Sequence, residues 1–269
     1  MFFKKTNCPN CNALHDEMLD YCPLCGQRNE EHLDFKKRHP MTFVPWVFEL
    51  ILALLGLIGF TIINLIFGVI FMNALSENQT RGLMLVNTAS YIVFFIMCIA
   101  LLFPFFKSVI DRFKIPTAYL WGLLGTGALI LASISSSLLI QLIRPESGEG
   151  GNQSAIIEMV KNYPIISIFI VGIIGPICEE VAYRVGLFTL LRRVHPILAY
   201  VATGIIFGLI HFDFTSSDLI TELLYLPNYV FAGLCFSFIY EKKGIACSVT
   251  AHVLNNMISI IMILLPTTI

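Results

Sequence analysis

Polar sequence fills residues 1–39, and from Pro40 onward the chain turns apolar in long runs. The runs occupy residues 44–73, 83–106, 119–143, 165–193, 197–211, 223–240 and 245–265. A helix needs about 20 residues to cross a hydrocarbon core of about 30 Å, and most of the runs reach that length. The run 197–211 is short, although Phe212 and Phe214 extend its apolar character. Lipid gives the backbone no hydrogen bonds, so each run is expected to be helical. No alternation of the kind a membrane barrel needs is visible. The expected fold is all-α: a polytopic membrane bundle of seven or eight transmembrane helices behind a small N-terminal module. The eighth span arises only if one run splits in two.

Composition agrees with that pattern. Of 269 residues, 57% are hydrophobic and 13% charged, against about 45–50% and 25% in soluble domains. The net charge of -1 gives no basic excess for a nucleic-acid partner. Residues 1–5 are too few for the apolar core of a signal peptide, and polar sequence follows at once. Cations alternate from loop to loop. Lys36, Lys37 and Arg38 precede the first run, and Lys107, Arg112 and Lys114 lie between the second and third. Arg192 and Arg193 follow the fourth run, and Lys242 and Lys243 the sixth. The intervening loops hold Arg81, then Arg144 and Lys161, then none between His211 and Leu223. Positive charge marks cytoplasmic loops, so the N-terminus is expected in the cytoplasm and, with seven spans, the C-terminus outside. Residues 146–153 are Gly-rich and read as a linker. The expected division is a Cys-bearing module at 1–39, leading transmembrane helices at 40–145, a loop at 146–162 and a second transmembrane domain at 163–269.

Eight cysteines are present. Cys8 and Cys11 form one CxxC knuckle, and Cys22 and Cys25, followed by Gly26, form another ten residues on. Each knuckle offers two thiolates, and together they supply the four ligands of a tetrahedral structural zinc. Disulfides are disfavoured in the cytoplasm. So short a module buries little core, and the ion would supply the folding energy. His15 and His32 are expected at the surface and not as ligands. The module resembles a zinc ribbon. Cys98, Cys178, Cys235 and Cys247 lie singly in apolar runs and read as small buried hydrophobes. Cys178 precedes a Glu pair, but no activating base other than a carboxylate stands beside it in sequence.

Ionisable residues at a bilayer centre cost at least about 2.5–3.5 kcal/mol and point to function. Glu179, Glu180 and Arg184 lie in the fourth run, His211 closes the fifth, and His252 and Asn256 lie in the seventh. Glu180 and Arg184 are four residues apart and share a helix face, whereas Glu179 is rotated by about 100°. His252 and Asn256 also share one stripe, and Phe207 sits one turn before His211. Glu179 lies 13 residues from Arg192, about 20 Å along a helix. His211 lies 15 residues from Pro196, about 22 Å. Asn256 lies 12 residues from Gly244, about 18 Å. Three independent helices thus carry polar groups to one depth. Individually each could be interhelical glue; together, at one level, they describe a site.

The set Glu179-Glu180-x-x-x-Arg184, Phe207-x-x-x-His211 and His252-x-x-x-Asn256 resembles the CAAX protease and bacteriocin-processing (CPBP, or Abi) family of intramembrane peptidases. The resemblance covers roughly residues 163–265. Val185 stands where many members place Gly directly after the Arg. The resemblance implies hydrolysis of a peptide bond in a membrane-associated substrate, lipidated in the eukaryotic members, by a multi-pass protein of the bacterial plasma membrane. It also implies roles. Glu179 would be general base, with His211 holding the same water. Glu180 would pair with Arg184, and His252 and Asn256 would donate to the oxyanion. A competing version makes His211, His252 and a Glu ligands of a catalytic zinc. Two other classes stay open. A non-catalytic bacteriocin-immunity or scaffold protein would keep the fold and bind a partner. A proton-coupled transporter would show inverted repeats with matching helix breaks, and only the Pro176 interruption is visible.

Overall fold

A computed structural model describes residues 5–16, 22–30 and 43–265. His32 and the cations Lys36, Lys37 and Arg38 lie outside the described residues. Near the N-terminus, β1 (Lys5–Asn7) pairs antiparallel with β2 (Leu14–Asp16), Thr6 facing His15. This small hairpin is an addition to the all-α expectation. It also overturns the expected surface position of His15. Strand period turns successive side chains to opposite faces, so Leu14 is exposed while His15 is buried.

Nine helical stretches follow among the described residues: α1 (Trp46–Ile70), α2 (Met72–Glu77), α3 (Gln79–Phe113), α4 (Pro116–Ile143), α5 (Gly151–Asn162), α6 (Pro164–Arg192), α7 (Pro196–Leu209), α8 (Leu219–Lys243) and α9 (Ile245–Leu264). Six of them, α1, α3, α4, α6, α8 and α9, are long and apolar enough to cross a membrane. The seventh apolar helix, α7, has 14 residues, about 21 Å of rise, and passes into a turn at Ile210–His211. No apolar run divides to give an eighth span among the described residues.

Helix α6 is the axis of the bundle. Half of its apolar window is buried, against 22–33% for the other five, and every residue of Val181–Phe188 is buried. Helix α1 lies directly on this stretch. A Cβ at Gly186 would sit 2.7 Å from the Ala53 backbone nitrogen, and one at Gly56 would sit 2.7 Å from the Ala182 Cβ. Small residues permit such close crossing in membranes. The large apolar side chains of α1 and α4, such as Leu65, Val69, Leu138 and Leu142, point outward, as a lipid-facing surface requires.

The two ends of the bundle are pinned differently. At one, Arg193 reaches the fully buried Glu49 of α1 at 2.8 Å, and Arg192 meets Glu241 of α8 at 2.7 Å. Arg112 of α3 lies against Gly244, and Lys243 over Trp121 of α4. At the other, Arg144 meets Asp218 at 2.7 Å and, with Thr221, holds its carboxyl down at about 2. The segment 146–162, expected as a loop, is largely helix α5. Its glycines serve close packing. A Cβ at Gly151 would lie 2.7 Å from Asp213 Oδ2, and the Gly151 amide donates to Glu222 at 2.6 Å. Glu222 also accepts from the Asp213 amide, so one carboxylate caps the positive end of α5 and fixes the turn after α7.

Candidate active site

Inside the bundle is a cavity of about 710 Å³ lined by Glu179, His211, His252 and Asn256. Four of the six residues singled out from sequence therefore share one wall. The other two, Glu180 and Arg184, lie behind it, fully buried.

Local helix geometry makes this arrangement. In α6 the wide π turns Ile170–Ile174 and Val181–Phe188 flank the α-helical Gly175–Glu180. A π turn loosens the backbone ladder and often marks a functional site. Here the Val171 carbonyl accepts from the Asn256 side chain at 2.9 Å, and the Arg184 carbonyl accepts from the Thr189 hydroxyl at 2.8 Å. Pro176, expected to interrupt the helix, sits at the start of the α segment between the two π turns.

The acids differ as their rotation predicts. Glu180 Oε2 pairs with Arg184 Nε at 3.3 Å, and its Oε1 accepts from His252 Nδ1 at 2.9 Å. The Arg184 guanidinium lies over the rings of Phe207 (4.8 Å) and Phe236 (5.4 Å), and cation–π attraction offsets part of its desolvation. No hydrogen-bond partner reaches its two terminal nitrogens among the described residues. Glu179 turns to the cavity instead. Its Oε1 accepts from the Tyr91 hydroxyl at 2.9 Å, while Oε2 stands 3.8 Å from His252 Nε2 with no hydrogen-bond partner.

Both imidazoles are held through Nδ1. A carboxylate only accepts, so the bond to Glu180 makes His252 Nδ1 the donor. Its Nε2 then accepts when the ring is neutral and donates when it is imidazolium. The ring stacks on Phe236 at 4.4 Å. His211 Nδ1 meets the Phe207 carbonyl at 2.8 Å, and the ring is sandwiched by Tyr229 (4.8 Å) and Phe207 (4.7 Å). Tyr91, Tyr229 and Phe236 were not singled out from sequence. Each lies in an apolar run without a motif, where an aromatic residue reads as core.

Comparison with known proteins places this wall. Residues 161–258 match the family model described as type II CAAX prenyl endopeptidase Rce1-like. Over this segment the chain is similar to the CAAX protease and bacteriocin-processing family. MroQ of Staphylococcus aureus, named as a membrane-embedded CAAX protease, is 30% identical over 153 residues, 53% of this chain and 58% of that protein. YdiL of Bacillus subtilis, named as a membrane peptidase, is 31% identical over 120 residues, 44% of this chain and 45% of that protein. The chain thus spans about half the length of these two relatives. A Mycoplasma capricolum protein, whose name assigns no function, is 25% identical over 249 residues, 86% of this chain and 71% of that protein. No solved structure matches. Six apolar helices and this similarity to membrane peptidases make the chain an integral membrane protein.

The matched segment contains all six candidate residues, whereas Tyr91 comes from α3 outside it. The cysteine knuckles also lie outside it. The sulfurs of Cys8, Cys11, Cys22 and Cys25 lie within 4.8 Å of one another, with Cys8–Cys25 and Cys11–Cys22 each at 3.6 Å. Four sulfurs bound at about 2.3 Å around one tetrahedral ion need such a spacing, so the cluster fits a metal ion such as zinc. Gly26 has a positive φ of 69° directly after the second pair, a conformation glycine adopts without strain. Three of the four lone cysteines, Cys98, Cys178 and Cys247, are buried as expected of small hydrophobes, and Cys235 is half-buried.

Proposed function

We propose that this protein is an intramembrane endopeptidase of CAAX prenyl protease-like type. It would hydrolyse a peptide bond in a membrane-associated substrate, in the bacterial plasma membrane, with its N-terminus in the cytoplasm. One observation carries the reading: an acid from α6, an imidazole from the turn after α7, and an imidazole and an amide from α9 line one cavity within the bundle. The transporter reading has no comparable support.

The reaction follows from the groups present. Glu179 Oε2, without a hydrogen-bond partner, is placed to take a proton from water held jointly with His211 Nε2. Hydroxide adds to the substrate carbonyl carbon, and the C–O double bond opens to an oxyanion. Asn256, whose amide has a second N–H beyond the one given to Val171, and imidazolium His252 donate to that oxygen. The C–N bond then breaks as Glu179 returns the proton to the leaving amine. Glu180, braced by Arg184, orients His252. A zinc held by His211, His252 and a Glu is the competing arrangement. In the four-Cys cluster the zinc is structural, and 1–39, 40–145, 146–162 and 163–269 are proposed as the units of the chain.

The test is cleavage of a library of membrane-inserted peptides by the full chain reconstituted in vesicles. Glu179→Gln and His211→Ala should abolish cleavage while thermal unfolding in detergent stays cooperative. A scaffold or immunity protein would show no cleavage in wild type, and its cellular phenotype would survive Glu179→Gln.

A further inference from the structure

The cavity wall has a charge sign and a side. Its acidic lining residues are Glu158, Glu179 and Asp213; its basic ones are the imidazoles His211 and His252, and no Lys or Arg lines it. Arg184 is fully buried and outside the lining. A peptide ending in a free carboxylate would meet three carboxylates, and only the imidazoles of His211 and His252 could offer a countercharge. A neutral or cationic segment would meet complementary groups.

The side follows from which helix ends the cavity reaches. Its exposed lining residues include Gln79 at the start of α3, Ser154 and Glu158 on α5, and Ser259 near the end of α9. These are the ends opposite those carrying Lys107, Arg112, Arg192, Arg193, Lys242 and Lys243, and none of those cations reaches the cavity. Cation-rich loops remain in the cytoplasm. We infer that the chamber opens on the non-cytoplasmic face and admits an uncharged or basic peptide segment lacking a free terminal carboxylate. That what enters is then cut rests on the peptidase reading; the side and charge of entry do not.

Two measurements on the full chain test this. In intact cells, a membrane-impermeant maleimide should label Ser154→Cys above the wild-type background, and Lys107→Cys only after permeabilisation. Gln79→Cys serves if Ser154→Cys fails to accumulate. Labelling of Lys107→Cys but not of Ser154→Cys or Gln79→Cys in intact cells overturns the assigned side. For the charge, fluorescent peptides sharing one apolar core are made with Lys, Gln or Glu flanks and with amide or acid C-termini. Binding to the purified protein should be at least about tenfold tighter for amidated Lys and Gln peptides than for acid-terminated Glu peptides. Equal affinities, or tighter binding of the acids, overturn the charge selection. If the labelling and binding hold while no peptide is cut, the peptidase reading fails and this inference stands.

Discussion

Arg184 is the residue on which the buried polar cluster turns. Its charge neutralises Glu180 in a place with no water access, and Glu180 in turn fixes His252. Removing one partner of a buried pair leaves the other uncompensated, at about 3–5 kcal/mol. Arg184→Ala should therefore lower stability by about that amount, read by denaturant or thermal unfolding in detergent; unchanged stability would mean the pair is dispensable. Tyr91→Phe should act otherwise. It deletes the hydroxyl that holds Glu179 and leaves the ring packed on Phe60 at 4.7 Å. A hydrogen bond to a charged group contributes about 1.5–3 kcal/mol, so stability should fall by no more than that while turnover falls about tenfold or more. The acids, imidazoles and Asn256 were legible in sequence because charge and amide are rare in apolar runs. Tyr91, Tyr229 and Phe236 were not, because an aromatic residue in such a run carries no signal until the fold brings a partner to it.

At the level of elements, the α1–α6 contact is a tight constraint. Gly186→Ala would set a methyl 2.7 Å from backbone that cannot yield locally, so the helices must part. Overpacking of this kind costs about 1–3 kcal/mol, and unfolding should begin correspondingly earlier. Gly127→Ala is the control: nothing lies within 4 Å of its added methyl, so stability should be unaltered or slightly higher. Helix positions were readable from hydropathy because a span must be apolar along its length. Helix α5 was not. Its Gly-Gly start has the composition of a linker, and only the Glu222 cap and the close approach of Asp213 show why glycine is required there. The π turns of α6 were equally hidden, since sequence marked only Pro176 and gave no register for the wide turns on either side.

For the molecule as a whole, the family resemblance and membrane character could be read from three short polar patterns and the spacing of apolar runs. The cavity's reach toward one end could not, because it depends on how α3, α5 and α9 splay. The full chain should hold one zinc, and replacing Cys8, Cys11, Cys22 and Cys25 by Ser should remove it, as measured by elemental analysis. One equivalent surviving in that variant would move the ion to His211, His252 and a Glu. The central claim concerns bond cleavage, and the most direct measurement compares the terminal peptides of membrane proteins from cells carrying wild type or Glu179→Gln at equal abundance. The account predicts new termini within or beside membrane segments in wild type that are missing from the variant. Identical sets of termini would contradict it.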